Sequence, residues 1–204
     1  MPVLPDRPVA AAPAPAPGNT PMLDDIRAAY RRDPALRGAR IVEALLYPGL
    51  WAVWSHRIAH RLHRWGLPLL PRALSQLTRL LTGVEIHPGA VIGRRLFIDH
   101  GAAVVIGETA RVGDDVTIYH RVTLGGRGWW LDGEGSRRHP TIGHRVVLGV
   151  GASVLGPVRV GDDARVGAHC LVLDDVPPGA RLHAPRAAPS TTRRPDTRPG
   201  ARRT

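Results

Sequence analysis

The sequence predicts an α+β chain, an N-terminal α-helical block followed by a parallel β-helix of hexapeptide repeats. Two observations carry this reading. Between Met22 and Leu81, apolar residues recur at helical spacing and are punctuated by Pro and Gly. From Gly83 onward the spacing changes to six, which fits neither a helix nor a two-periodic sheet and is the signature of a parallel β-helix. A third observation agrees: only nine of the 204 residues are aromatic, so the core must be narrow and built from Val, Ile, Leu and Ala.

Residues 1–20 contain the Ala/Pro run from Ala10 to Pro17 and read as a disordered or polyproline-like leader. The helical block covers 21–82. Pro21 precedes a helix over Met22 to Arg32, which ends before Pro34. A second helix is expected from about Gly38 to Tyr47, stopped by Pro48. The strongest runs from about Gly49 to Trp65, with Leu50, Trp54, Ile58 and Leu62 spaced by four on its apolar face and Gly66 ending it. A last helix covers Pro71 to Leu81 and stops at Gly83.

The β-helix covers 83–179. Its aliphatic column is Ile86, Ile92, Ile98, Ile106, Val112, Ile118 and Leu124, resuming as Ile142, Leu148, Val154, Val160, Val166 and Val172. Four residues after nearly every member stands a small or apolar side chain, from Ala90, Leu96 and Ala102 through to Cys170 and Val176. Gly commonly follows the aliphatic residue, letting the backbone turn a corner. Three hexads make one triangular coil. Two interruptions matter. The step from Ile98 to Ile106 is eight, so about two residues bulge just after Asp99 and His100. Between Leu124 and Ile142 the segment 126–139 is polar and Gly-rich, and reads as an extruded loop carrying Trp129 and Trp130. Regular coils with one long loop place a site beside that loop.

Charge is uneven. The net charge is +11, all 28 basic residues are Arg, and the stretch 181–204 holds seven Arg against one Asp. This tail, 180–204, reads as a disordered basic end; a nucleic-acid contact is the other reading, and the tail has no aromatic for base stacking. The modest positive charge of the body suits an anionic, nucleotide-bearing ligand. One cysteine, Cys170, excludes an internal disulfide framework and a Cys-based zinc cluster, and its place in the small-residue series makes it a buried structural thiol. The best apolar stretch, Ile41 to Trp54, is broken by Glu43 and Pro48 and is short of a membrane span. No signal-peptide core opens the chain, so a cytoplasmic location is expected.

Two clusters carry chemistry. His100 is a candidate general base, and Glu85 lies 15 residues earlier, nearly one coil, so the two can be neighbours on adjacent rungs. A carboxylate behind an imidazole fixes its tautomer. A His that merely decorates a turn is the other reading. Arg138 and His139, where the loop rejoins the coil, can clamp a carboxylate or form a solvated loop end.

Residues 83–179 resemble serine O-acetyltransferase, the hexapeptide-repeat enzyme that begins cysteine synthesis. The matching strings include Gly83-Val-Glu-Ile-His-Pro-Gly-Ala90, Phe97-Ile-Asp-His-Gly101, Val105-Ile-Gly-Glu-Thr-Ala110, Val122-Thr-Leu-Gly-Gly126 and Arg138-His-Pro-Thr-Ile-Gly143. Arg32-Asp33-Pro34-Ala35 and Arg57-Ile-Ala-His60 extend the likeness into the helical block. The resemblance implies a left-handed β-helix, against the usual right-handed crossover. It implies trimers with sites between subunits, often paired as hexamers. It implies direct acetyl transfer from acetyl-CoA, a cosubstrate rather than a resident cofactor, to the L-serine hydroxyl. On matching positions His100 is the base, with Glu85 in the place of its acidic partner. On the same resemblance Asp33 and Asp99 would hold the serine ammonium, and Arg138 and His139 the serine carboxylate or the acceptor end of the site. Gly126 and coil backbone including Ala152 line the acetyl-CoA groove. No metal is required.

The chain also departs from the family. The loop 126–139 is longer and holds the Trp pair, which can reshape the acceptor pocket or cover CoA. The usual post-repeat motif is reduced to His183-Ala-Pro-Arg186. The chain ends in Thr204 rather than the Ile that family members dock into O-acetylserine sulfhydrylase, which argues against that partnership. Other readings stay open at this stage. Another hydroxy amino acid such as homoserine is one acceptor alternative. A non-catalytic trimeric scaffold is a second. His100, His139 and His144 echo the spacing of zinc-bearing hexapeptide-repeat anhydrases. His56, His60 and His63 share one helix face, where ordinary packed histidines are expected.

Overall fold

The computed structural model describes residues 21–36, 43, 45–128 and 137–185. The leader 1–20, most of the second expected helix, the Trp129–Trp130 pair and the tail from 186 lie outside the described residues. Helix α1 spans Pro21–Arg32 and leads into a short 3-10 turn, Pro34–Leu36. Helix α2 spans Pro48–Arg64 with Pro at its first position, where a missing N–H costs nothing. Helix α3 spans Leu70–Thr82 and is closed by Gly83 in the left-handed region at φ 73°.

The rest is a left-handed β-helix of three parallel sheets. Face A contains β1 (Val84–Ile86), β4 (Val104–Ile106), β7 (Thr123–Gly125), β10 (Ser153–Leu155) and β13 (Leu171–Val172). Face B contains β2 (Val91–Ile92), β5 (Arg111–Val112), β8 (Thr141–Ile142) and β11 (Arg159–Val160). Face C contains β3 (Phe97–Ile98), β6 (Thr117–Ile118), β9 (Val147–Leu148), β12 (Arg165–Val166) and β14 (Arg181–Leu182). Each coil visits A, B and C in turn, so like strands stack in register.

The hexad column is the core: of its members, all but Ile92 are buried. One expected follower fails. Ala102 is exposed, and Val104 fills the interior slot at 0% exposure. The eight-residue step explains it, because the bulge pushes Ala102 outward and delays the next inward residue by two. The first coil therefore takes 20 residues, pairing Val84 with Val104 and Ile98 with Ile118. The coil that includes the segment before β8 is longer still, since Leu124 pairs directly with Val154.

The helices sit on the first coil. The apolar face expected for α2 is corrected in part, because Ile58 is 54% exposed while Gly49, Leu50, Ala52, Val53, His56 and Ala59 are buried. Small residues set this face because the helix approaches closely. A Cβ on Gly49 would lie 2.3 Å from the Ile98 carbonyl oxygen. Asp25 of α1 pins the assembly. Its buried carboxylate accepts from Arg57 Nη2 at 3.1 Å, Trp54 Nε1 at 3.1 Å and the Arg95 backbone at 3.2 Å. Burial pushes the Asp25 carboxyl up against the opposing pull of Arg57. No described helix is long and apolar enough to cross a membrane.

Candidate active site

The three kinds of corner differ in what their polar residues do. At the B–C corner they serve the backbone. Asp114 Oδ1 accepts the Arg94 N–H at 2.8 Å, His144 Nδ1 accepts the Asp114 N–H at 3.0 Å, and Asp162 Oδ1 accepts the His144 N–H at 2.8 Å. Each side chain caps the corner one coil above, so His144 is a rung of a ladder. Arg32 staples α1 to this corner through the Arg95 carbonyl and Asp115.

The C–A corner of the first coil is the bulge, and it carries His100. His100, Gly101 and Ala103 all have positive φ, at 61°, 67° and 56°. For His and Ala this is a costly conformation, held here by the packed coil and helix on either side. The His100 side chain is 72% exposed, with Asp99 Oδ1 3.8 Å from its Nε2. Both residues face a cavity of about 480 Å³ that is closed by Leu36, Glu43, Leu46, Tyr47 and Pro48. The Tyr47 hydroxyl donates to Asp33 Oδ2. Burial and the carboxylates of Asp33, Asp99 and Glu43 push the Tyr47 phenol well above its ordinary value, so it stays protonated. His100 and Asp99 thus share an acid-bearing pocket with Glu43, and Asp33 is tied to it through the Tyr47 hydroxyl.

Glu85 is not brought to His100 within the chain. Its carboxylate faces α3, 3.4 Å from Arg72 Nη2 and 3.1 Å from Arg79 Nη1. Among the described residues no hydrogen bond or ion pair joins Glu85 to His100. A coil of three even hexads would set Glu85 and His100 on adjacent rungs. The first coil takes 20 residues, so a separation of 15 leaves Glu85 on face A, beyond the corner.

Arg138 and His139 lie at the A–B corner, one face away. Thr109 is their platform: its Oγ1 accepts the backbone N–H of Arg138 at 3.2 Å and of His139 at 3.1 Å. The Thr109 N–H donates to His139 Nδ1 at 3.2 Å, which places the proton of the neutral ring on Nε2. The ring occupies the space a side chain at Gly107 would need, since a Cβ there would lie 2.1 Å from it. Arg138 Nη2 donates to Glu108 at 2.6 Å. Burial raises the Glu108 carboxyl, but the Arg138 hydrogen bond and positive neighbours outweigh it and hold the group below its ordinary value. The string Gly107-Glu-Thr-Ala110 is therefore a seat for the returning loop. It was visible in the sequence, but its partners were not, because the extruded loop separates them by 30 residues.

Gly126 lies directly after β7 at the foot of that loop. Ala152, expected to border the groove through its backbone, stands on the coil just before β10. Its methyl group is fully buried in the core, and its N–H is donated to the Gly149 carbonyl. The three histidines of the zinc reading stand at three different corners of one chain. Among the described residues no cluster of three or more His, Cys, Asp or Glu is placed to hold a metal. In the helical block His60 Nδ1 contacts the Pro88 carbonyl at 2.8 Å and His56 packs on His60.

Comparison with known proteins bears on the family and the fold. Residues 139–174 match the family model described as bacterial transferase hexapeptide (six repeats). The chain is similar to the serine acetyltransferase of Mycobacterium tuberculosis, 59% identical over 161 residues, covering 79% of this chain and 68% of that protein. It is 57% identical over 150 residues to the serine acetyltransferase of Helicobacter pylori, covering 74% and 85%. Among solved structures, the Neisseria gonorrhoeae serine acetyltransferase in complex with serine superposes with a TM-score of 0.74 at 40% identity, covering 82% of this chain and 67% of that one. The Brucella abortus enzyme in complex with coenzyme A gives 0.74 at 37%, covering 80% and 64%. A hexapeptide β-helix with a histidine-bearing bulge, at this level of identity, places the chain in the serine acetyltransferase family.

Proposed function

We propose that the chain transfers the acetyl group of acetyl-CoA to the hydroxyl of L-serine, with His100 as general base. The exposed His100 beside Asp99, at the mouth of the acid-bearing pocket, carries the reading. Serine hydroxyl is a poor nucleophile until its proton is removed. His100 takes that proton as the oxygen attacks the thioester carbonyl. The tetrahedral oxyanion then collapses, the C–S bond breaks, and the departing CoA thiolate recovers the proton from the imidazolium. Asp33 and Asp99 supply the negative charge for the serine ammonium, oriented by Tyr47. Arg138 and His139 supply the cationic and N–H donors for its carboxylate. The fit of the two related structures, one with serine and one with coenzyme A, supports both substrates.

The ammonium-binding and carboxylate-binding groups stand at different corners, with face A between them. One chain cannot close both on one amino acid. A trimer, in which the C–A corner of one subunit meets the A–B corner of the next, completes the site. On this reading Gly126, at the foot of the loop, borders the acetyl-CoA groove.

Thiol release from acetyl-CoA with L-serine, run beside L-homoserine, L-threonine and no acceptor, tests the assignment. Serine-dependent release is expected, and it disappears in His100→Ala. Release with homoserine alone would replace the acceptor. No release from a folded oligomer would leave the scaffold reading.

A further inference from the structure

We infer that His120 is a positioning residue for His100, an aromatic shelf that fixes the orientation of the base. The inference rests on the reading of His100 as base. His120 occupies the C–A corner one coil below the bulge, because Ile98 and Ile118 are paired across face C. The two imidazole rings meet edge to face, with centroids 5.7 Å apart and planes at 79°. This is the geometry aromatic pairs adopt when one ring's edge meets the other's face.

The need for a shelf follows from the exposure of His100. Its side chain is largely in solvent, Asp99 lies 3.8 Å away, and among the described residues no hydrogen bond reaches its ring. An imidazole so placed rotates freely unless something packs on it, and a base that must face a hydroxyl loses rate when its ring turns. Tyr47 and Glu43 face the same cavity from the other side. His120 is the ring that touches it.

His120 is itself built in. Its carbonyl accepts the Gly151 N–H at 3.0 Å, and the next residue, Arg121, donates its N–H to the Ala102 carbonyl on the bulge at 2.8 Å. Its Nδ1 is buried and has no hydrogen-bond partner among the described residues. A buried nitrogen without a partner is tolerated better as an acceptor than as an N–H, so the neutral ring carries its proton on Nε2. Nothing the side chain does for the coil explains a polar ring at a position where Val150 stands one coil further on. Among the described residues, the ring contact it makes is with His100.

The test measures kcat and KM of the oligomer for acetyl-CoA and serine, with thermal melting as the folding control. His120→Ala is expected to lower kcat about tenfold while both KM values stay within about twofold. His120→Phe, which keeps the ring and removes both nitrogens, restores kcat to within about threefold of the parent. His120→Leu fills the volume without an aromatic face and behaves like Ala, which separates the shelf from simple packing. Added to His100→Ala, the His120→Ala change lowers the residual rate no further, because the shelf has no ring to hold. A folded His120→Ala enzyme with parental kcat overturns the inference. So does a folded His120→Phe enzyme as slow as Ala, or a loss confined to KM. Parental activity in His100→Ala overturns the base assignment and the shelf together, whereas a dead His100→Ala beside a parental His120→Ala overturns the shelf alone.

Discussion

The B–C and C–A corners of the β-helix are cut from the same hexapeptide pattern and put their polar residues to opposite uses. At B–C, Asp114, His144 and Asp162 each accept a backbone N–H from the neighbouring corner. Those side chains are spent on the fold. At C–A of the first coil, two extra residues break the repeat, three residues take left-handed conformations, and His100 is left exposed with one carboxylate near it. Single left-handed residues also stand at the B–C corners, at Arg95, Asp115, Arg145 and Asp163, so what sets His100 apart is an exposed polar side chain that the backbone does not use. The contrast also separates two histidines of one sequence: His144 is a structural acceptor and His100 a candidate base.

The sharpest way to break this comparison is to delete each histidine. His100→Ala is expected to cost on the order of 100- to 10,000-fold in kcat, the range of lost general-base catalysis, with an unchanged melting temperature. His144→Ala reverses the pattern, costing about 1 kcal/mol of stability and little activity. Glu85→Gln, whose carboxylate lies against α3, lowers activity far less than His100→Ala. Thiol release and thermal melting on the same preparations decide it. A stable but inactive His144→Ala would dissolve the distinction.

The next largest effect concerns the seam between the helices and the first coil. Asp25 is 1% exposed and gathers donors from α2 and from the Arg95 backbone. Asp25→Ala strips half-buried Arg57, the Trp54 ring N–H and the Arg95 N–H of their shared acceptor and is expected to cost about 3 kcal/mol. Activity falls with it, since the same block shapes the pocket beside His100. Denaturant midpoints measure the loss; a change under about 1 kcal/mol would show the seam to be held by apolar packing alone. Asp114→Ala, at the regular corner, is expected to cost less, about 1–3 kcal/mol, and to leave kcat intact.

How much of this was legible beforehand follows from where each signal resides. The β-helix was readable because every coil reuses the same three faces, so Ile106, Val112, Ile118 and Leu124 announce the period locally. The helix ends were readable from Pro and Gly. The errors share one cause, which is that small insertions alter long-range register. The bulge after His100 moved Ala102 outward, lengthened the first coil and separated Glu85 from His100. His120 was not read as a site residue, because its place beside the bulge follows only from the 20-residue coil that pairs Ile98 with Ile118. The extruded loop hid the pairing of Arg138 with Glu108. Close approach, not hydrophobicity, set the buried face of α2, and Gly49 was its sign. The pocket residues Tyr47 and Glu43 carried no periodic signal at all.

The smallest expected effect sharpens the comparison from the side of burial. His100 lies in solvent, whereas His56, on the buried face of α2, has no partner for its Nδ1 among the described residues. Burial, reinforced by the His60 charge, drives the His56 pKa down to about 3. Unfolded, the same ring titrates near its ordinary value of about 6.5, so below that pH the unfolded chain binds a proton that the folded chain refuses. Stability is complete above about pH 6.5 and is lost progressively as pH falls toward 3. His87 is also lowered by burial and acts in the same direction. Glu108, held below its ordinary value, loses its contribution only at lower pH, whereas Asp25, raised by burial, acts against the histidines as pH falls, so the His56 share is read from the difference between parent and variant. Melting temperatures between about pH 6.5 and about pH 5 should fall in the parent and fall less steeply in His56→Gln, whose side chain does not titrate. Identical slopes in the two proteins would mean that His56 finds a partner for its proton in the assembled enzyme, and the contrast with His100 would then rest on the corners alone.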